Sequence, residues 1–206
     1  MIKNVVFDIG NVLIKFRPLE FLKGKYKDKK LIQELYKLIF KSDEWNMLDR
    51  GTITEEDAVD NFCKRSPQNQ VYIKEVIRDW HAMHIPIEGT VEILKMLKKS
   101  GYRIYLLSNY HKKAFKIVQD RFEFLKRVDG KIISSEVKLL KSEEEIYKLL
   151  LKTYNLKPEE TIFIDDTLVN IEMARELDIK GICFKNSGTL YKELNPLMQG
   201  YKVANL

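Results

Sequence analysis

Short apolar runs bounded by polar or glycine punctuation alternate along this chain with longer stretches in which apolar residues recur every three to four positions. Residues 2–7 form a short run with β-branched content that stops at Asp8-Ile9-Gly10-Asn11, the pattern of a buried strand ending in a loop. From Pro18 to His84 the pattern is helical: Leu31, Leu35, Leu38 and Ile39 mark the face of one segment, and Val71, Val76 and Trp80 that of a later one. No strand pair is expected in that block.

After it the two periods interleave. A helix is predicted over 89–99 on Val91, Leu94 and Leu97, with Gly101 as its stop, then a strand over 102–107 ending in Ser108-Asn109. A helix over 112–120, a strand over 131–134 and a helix over 142–154 follow, the last opened by a Ser142/Glu145 capping box. A compact strand over 161–164 runs into Asp165-Asp166, a helix continues to about 177, and a final strand covers 179–184. Strands alternating with helices imply an α/β protein with a parallel sheet and right-handed crossovers, interrupted after its first strand by an all-helical insertion that hangs over the strand ends.

Length and composition narrow this picture. The 206 residues, 45% of them hydrophobic, suffice for one domain with a modest insertion. An aromatic share of 11% without low-complexity tracts or repeats argues against a disordered chain. The N-terminal apolar run is too short for a secretory signal and no segment approaches the length of a membrane span, so no membrane partner is expected. Cys63 and Cys183 show no metal-ligand spacing, as expected of reduced packing residues in a cytoplasmic protein. The formal charge of +6 comes mostly from lysines scattered along helices, which reads as a solvated basic surface rather than a nucleic-acid site. The pattern is equally compatible with a monomer and a small homo-oligomer.

In an open parallel sheet, ligands bind beyond the carboxyl ends of the strands, near the reversal of strand order. Asp8, Ser108-Asn109, Lys141 and Asp165-Asp166 all fall at such ends or on an adjoining loop. Singly, each has an ordinary explanation as a turn residue, a helix cap or a solvated lysine. Together they meet one chemical demand. A carboxylate attacking a phosphate monoester is repelled unless cations neutralise both partners. Asp8 with one or both of Asp165 and Asp166 is suited to hold Mg²⁺, which prefers hard oxygen ligands, and Lys141 adds a further positive charge. The Ser108 hydroxyl and nearby N–H groups are placed to bond phosphoryl oxygens, and attack by Asp8 would give an aspartyl-phosphate for water to hydrolyse.

Phe7-Asp8-Ile9-Gly10-Asn11-Val12-Leu13, Leu107-Ser108-Asn109, Lys141 and Phe163-Ile164-Asp165-Asp166 resemble, in order and spacing, the four motifs of the haloacid dehalogenase superfamily. The resemblance covers nearly the whole chain. It implies a Rossmann-like core of residues 1–16 and 85–206, with residues 17–84 forming a small helical cap. It also implies a Mg²⁺-dependent phosphatase whose partner is a small phosphorylated metabolite. On that likeness Asp8 is the nucleophile, and Asp8, the Gly10 carbonyl and Asp166 are metal ligands. Asp165 is a ligand or stands behind one, and Ser108 and Lys141 grip the phosphoryl group. Asn170 also fits the pattern.

Two departures stand out. Most phosphatases of the superfamily carry a general-acid aspartate two residues after the nucleophile, where this chain has Gly10. Such assistance is worth roughly 10² to 10⁴ in rate, so Gly10 implies slow turnover, a good leaving group, or a proton delivered by water or by the cap. The bacterial glucose-1-phosphate phosphatase branch also has Asp-x-Gly-Asn, and the chain is especially similar to it. Around the motif lysine, Ser142 and Lys138 replace the usual Pro and Gly, which makes Lys138 the fallback.

In the insertion, Asp49-Arg50-Gly51-Thr52 resembles a loop that leans into the active site, making Asp49 and Arg50 candidate substrate contacts; an Asp/Arg surface pair beside a turn glycine explains them equally well. Asn109 and His111 are further candidate contacts, though a first-turn helix position is the plainer reading of His111. His81 and His84 read as hinge or surface residues and do not make a metal site. Two other functions compete: a 2-haloacid dehalogenase, which needs no metal and has no use for Asp165-Asp166, and a phosphate-ligand-binding protein with little turnover because of Gly10.

Overall fold

The structure is a computed structural model that describes residues 1–197. Five parallel strands, β1 (Asn4–Phe7), β2 (Arg103–Ser108), β3 (Gly130–Ile133), β4 (Thr161–Asp165) and β5 (Lys180–Cys183), form one sheet in the order β3-β2-β1-β4-β5. This is the parallel α/β sheet that the alternating periods predict, in the Rossmann-like arrangement that the resemblance implies.

Burial on both faces explains the strand composition. In β1, Val5 and Phe7 pack into one apolar layer and Val6 into the other, all at most 1% exposed, so every position must be apolar except where the strand ends. On one face lie α6 (Glu88–Lys99), α7 (Lys112–Arg121) and α11 (Ser187–Leu197); on the other lie α9 (Glu144–Tyr154) and α10 (Leu168–Glu176). The predicted α6 face, Val91, Leu94 and Leu97, is buried, and Gly101 takes the left-handed conformation (φ 86°) that ends the helix.

Between β1 and β2 the chain is helical: α1 (Pro18–Lys25), α2 (Lys29–Leu35) with a π turn at Tyr36–Phe40, α3 (Asp43–Arg50), α4 (Glu55–Arg65) and α5 (Gln70–Asp79). Their apolar residues, among them Leu35, Ile39, Phe62 and Trp80, join the same continuous core as Phe7. A short helix, α8 (Ser134–Val137), follows β3 and receives α3.

Two local expectations are corrected. The Ser142/Glu145 capping box does not form: α9 starts at Glu144, because the Glu143 carboxylate turns back to accept the Leu140 N–H at 2.7 Å and leaves Ser142 outside the helix. A capping box does form at Thr54/Asp57, at the start of α4. Val71 is 69% exposed, since it sits about 140° round the helix from Val76, whereas Ile73, Val76 and Ile77 make the buried face of α5. Among the described residues no helix is long and apolar enough to cross a membrane.

Candidate active site

The strand order puts β1 between β2 and β4, so the three strands that end in polar residues are neighbours. Parallel register sets Phe7 beside Leu106 and Ile164, which brings Asp8, Ser108 and Asp165 to one sheet edge. The chain leaves β1 towards β2 and returns on the other side at β4, making this edge the switch point where ligands bind in such sheets.

Asp8 is 5% exposed. Its Oδ1 accepts the Ser108 hydroxyl at 2.6 Å and lies 2.8 Å from the Lys141 ammonium. Lys141 Nζ also lies 2.7 Å from Asp165 Oδ2. The lysine backbone is clamped: its N–H donates to Asn109 Oδ1 at 3.0 Å and its carbonyl accepts the Tyr147 hydroxyl at 2.9 Å. Lys141, not the fallback Lys138, is therefore the lysine at Asp8. Lys138 occupies the left-handed C-cap of α8.

Asp165 is fully buried, with both oxygens occupied: Oδ1 accepts the Thr167 N–H at 2.8 Å, and the Asn170 amide reaches both oxygens at 3.1 Å. Asp166 faces the cavity instead. Ligand atoms of Asp8, Asp165 and Asp166 lie within 4.8 Å of one another. Burial pushes Asp8 up to about 6, against the pull of Lys141, and raises Asp166 with help from its repulsion by Asp165. Lys141 stays protonated, because the attraction of Asp8 and Asp165 outweighs the burial that would lower it. Three carboxylates facing one ammonium leave two negative charges, which suits a single divalent cation on hard oxygens, and Gly10 lies at the same rim.

A cavity of about 240 Å³ opens over Asp8, walled by Asp166, Ser108, Asn109 and Gly10 below and by Phe16, Trp45, Asp49, Trp80, His84, Tyr110 and His111 above. Asp49 and His111, both candidate substrate contacts, line this cavity, whereas Arg50 turns away from it. Its guanidinium pairs with Glu143 at 2.8 Å and donates to the Lys138 carbonyl at 3.1 Å, tying α3 to the loop that carries Lys141. That tie is tightened by Gly51, whose φ of 73° ends α3 while its Cα faces the Ser135 backbone, and by the Ser134 hydroxyl, which donates to the Asp49 carbonyl.

His111 is 5% exposed, with its ring 4.4 Å from Trp45 and 5.4 Å from Trp80. Burial pushes it down to about 3 and His84 down to about 4, so both rings are neutral. His111 Nε2 lies 3.2 Å from Asp49 Oδ1 but off the line of a ring N–H hydrogen bond, so the pair is a close contact rather than a formed bond. His84 is not a surface residue: it is 1% exposed and its Nε2 sits 3.2 Å from the Tyr110 hydroxyl. The aromatic wall of Phe16, Trp45, Trp80 and Tyr110 carried no sequence signal distinct from ordinary helix packing.

Comparison with known proteins agrees with this geometry. The family model for haloacid dehalogenase-like hydrolases matches residues 2–178. The chain is 24% identical over 196 residues to a sesquiterpene phosphatase of Aspergillus oryzae, covering 95% of this chain and 96% of that protein. It is 23% identical over 219 residues to a D-ribitol-5-phosphate phosphatase of Bacteroides thetaiotaomicron, covering 96% and 99%. Other curated relatives are longer, and the chain spans as little as 18% of their length. Among solved structures, a Bacteroides thetaiotaomicron enzyme of the same family, in complex with magnesium and inorganic phosphate, superposes with a TM-score of 0.68 at 25% identity, covering 90% of this chain and 96% of that one. With the family model spanning all four motif positions and the sheet edge assembling them, the chain belongs to the haloacid dehalogenase-like hydrolases.

Proposed function

We propose that this hydrolase is a Mg²⁺-dependent phosphatase acting on a small phosphorylated metabolite, a sugar phosphate among the candidates, through an aspartyl-phosphate on Asp8. The observation that carries the reading is the Lys141 ammonium, held 2.8 Å from Asp8 and 2.7 Å from Asp165 beside a third carboxylate. The phosphatase relatives and the magnesium–phosphate complex of the similar structure support it.

Asp8, Asp166 and the Gly10 carbonyl are the proposed metal ligands, and Asp165 is the residue that aims Lys141. A magnesium ion there would neutralise the phosphoryl oxygens as Asp8 approaches. The protein does the rest. Ser108 and Lys141 fix the rotamer of Asp8 and, once a phosphoryl group enters, bond its oxygens. Asp8 attacks phosphorus in line, the ester bond breaks, and water then cleaves the aspartyl-phosphate. The segment 17–84 serves as a cap that supplies Trp45 and Trp80 to the aromatic wall. A cavity of about 240 Å³ lies below the ~300–1,000 Å³ of sites for drug-sized ligands, which favours small substrates.

The test is phosphate release from a panel of sugar phosphates, nucleotides and an aryl phosphate, with Mg²⁺ or with chelator, for wild type and Asp8→Asn. Release that needs magnesium and disappears in Asp8→Asn is the expected result. Halide release from 2-haloacids indifferent to chelator would replace this reading with the dehalogenase. Ligand-induced thermal stabilisation without any turnover would replace it with the binding protein.

A further inference from the structure

Breaking a P–O bond to an alkyl group leaves an alkoxide that needs a proton, and Gly10 has none to give. The cavity wall offers few other donors. Lys141 is committed to Asp8 and Asp165, the Tyr110 hydroxyl is engaged with His84, and the rings of His84 and His111, already neutral, are poor acids. Of the carboxyl groups that line the cavity, Asp8 and Asp166 belong to the acidic cluster, and among the described residues that leaves Asp49.

Asp49 is held in place. It sits in the last turn of α3, where the Ser134 hydroxyl bonds its carbonyl, Arg50 grips Glu143 and the Lys138 carbonyl, and Gly51 abuts Ser135. Its side chain is 18% exposed and rests against the His111 ring. Burial pushes its carboxyl up to about 8; of the charges facing it, Lys141 opposes that rise and Asp8 adds to it. It is therefore mostly protonated at neutral pH.

We propose that Asp49, reaching over from the cap, is the general acid and base of this enzyme, taking the part that Gly10 leaves vacant. As the Asp8 oxygen bonds to phosphorus and the ester P–O bond breaks, the leaving oxygen takes the Asp49 proton and departs as the alcohol. The Asp49 carboxylate then removes a proton from the water that attacks phosphorus. Cleavage of the P–O bond to Asp8 releases inorganic phosphate and returns both side chains to their starting state. The inference rests on the phosphatase reading above.

The experiment compares Asp49→Asn with wild type, in saturating Mg²⁺, on p-nitrophenyl phosphate, whose leaving group is stable as an anion, and on a series of alkyl phosphates. The expected result is a fall of roughly 10²-fold or more in kcat on the alkyl esters and less than about tenfold on the aryl ester, with the same melting temperature at pH 4. Equal losses on both ester classes, or no loss on either, would overturn the proposal. A second reading needs no variant: wild-type kcat/KM that varies little with leaving-group basicity supports it, and a steep decline from aryl to alkyl esters counts against it. Wild type inactive on every ester sinks the phosphatase reading and this proposal with it, whereas an active wild type with an unselective Asp49→Asn sinks this proposal alone.

Discussion

The Lys141 ammonium and the Asp165 carboxylate lie 2.7 Å apart, with side chains 5% and 0% exposed. A pair so placed is sustained by further partners on both sides: Asp165 accepts from Thr167 and Asn170, and Lys141 also reaches Asp8. Removing one partner strands buried charge. Lys141→Met should cost about 3–5 kcal/mol in denaturant unfolding of the metal-free protein and abolish phosphate release. Lys141→Arg should restore charge without activity, because a planar fork cannot place one nitrogen between two carboxylates.

The acidic cluster predicts a magnesium-dependent gain in stability. At 100-fold excess over its dissociation constant the ion adds about 2.7 kcal/mol, seen as a rise in melting temperature. Asp166→Asn should lose most of that rise while keeping its metal-free stability, since Asp166 faces the cavity and its carboxyl is strained by burial and by Asp165. An undiminished magnesium response in Asp166→Asn would remove it from the ligand set.

Gly10 has room for a side chain. A Cβ added there meets only Asp8 Oδ2, at 3.9 Å, and Gly10 is not among the positive-φ residues. Gly10→Asp should therefore fold normally and raise turnover of Asp49→Asn on alkyl phosphates by about tenfold or more, the lower part of the range for acid–base assistance, read by steady-state assay.

Asp49 also makes stability depend on pH. Its carboxyl is raised from 3.8 to about 8, so between those values the folded state holds a proton that the unfolded chain has lost, and folding weakens as pH rises through that window. The amide introduced by Asp49→Asn has no such proton. The melting temperature of Asp49→Asn minus that of wild type should be near zero at pH 4, grow up to pH 8 and level off above it. His84 and His111 act in the opposite sense, weakening the fold as pH falls below 6.5 towards about 4 and about 3.

The seam between α3 and α8 should tolerate loss of its ion pair better than loss of its glycine. Arg50→Ala removes a pair whose side chains are 34% and 30% exposed, worth about 0–1 kcal/mol. Gly51→Ala puts a Cβ onto the Ser135 backbone at a φ of 73°, where handedness alone costs about 1–2 kcal/mol. Differential scanning calorimetry should rank the two in that order, and both should lower kcat on alkyl phosphates by loosening Asp49.

Several of these residues were legible before any fold was known. The middle of a buried parallel strand must be apolar, so Asp8, Ser108 and Asp165 announce themselves as polar positions at the carboxyl ends of β1, β2 and β4. Element types followed from period, and errors arose where two neighbouring residues compete for one helix start, as at Ser142 and Glu143, or where an apolar side chain lies on a solvated face, as at Val71.

The sequence by itself determined the alternation of strands and helices, the place of the helical insertion and the four polar signals, because these depend on local period and on the polarity that burial permits. Tertiary structure alone decided which lysine meets Asp8, that Arg50 braces the seam while Asp49 enters the cavity, and that Trp45, Trp80, His84 and Tyr110 form its roof. Those outcomes depend on how elements far apart in the chain cross. An apolar or aromatic residue on a helix face has the same sequence signature whether it fills a core or borders a cavity.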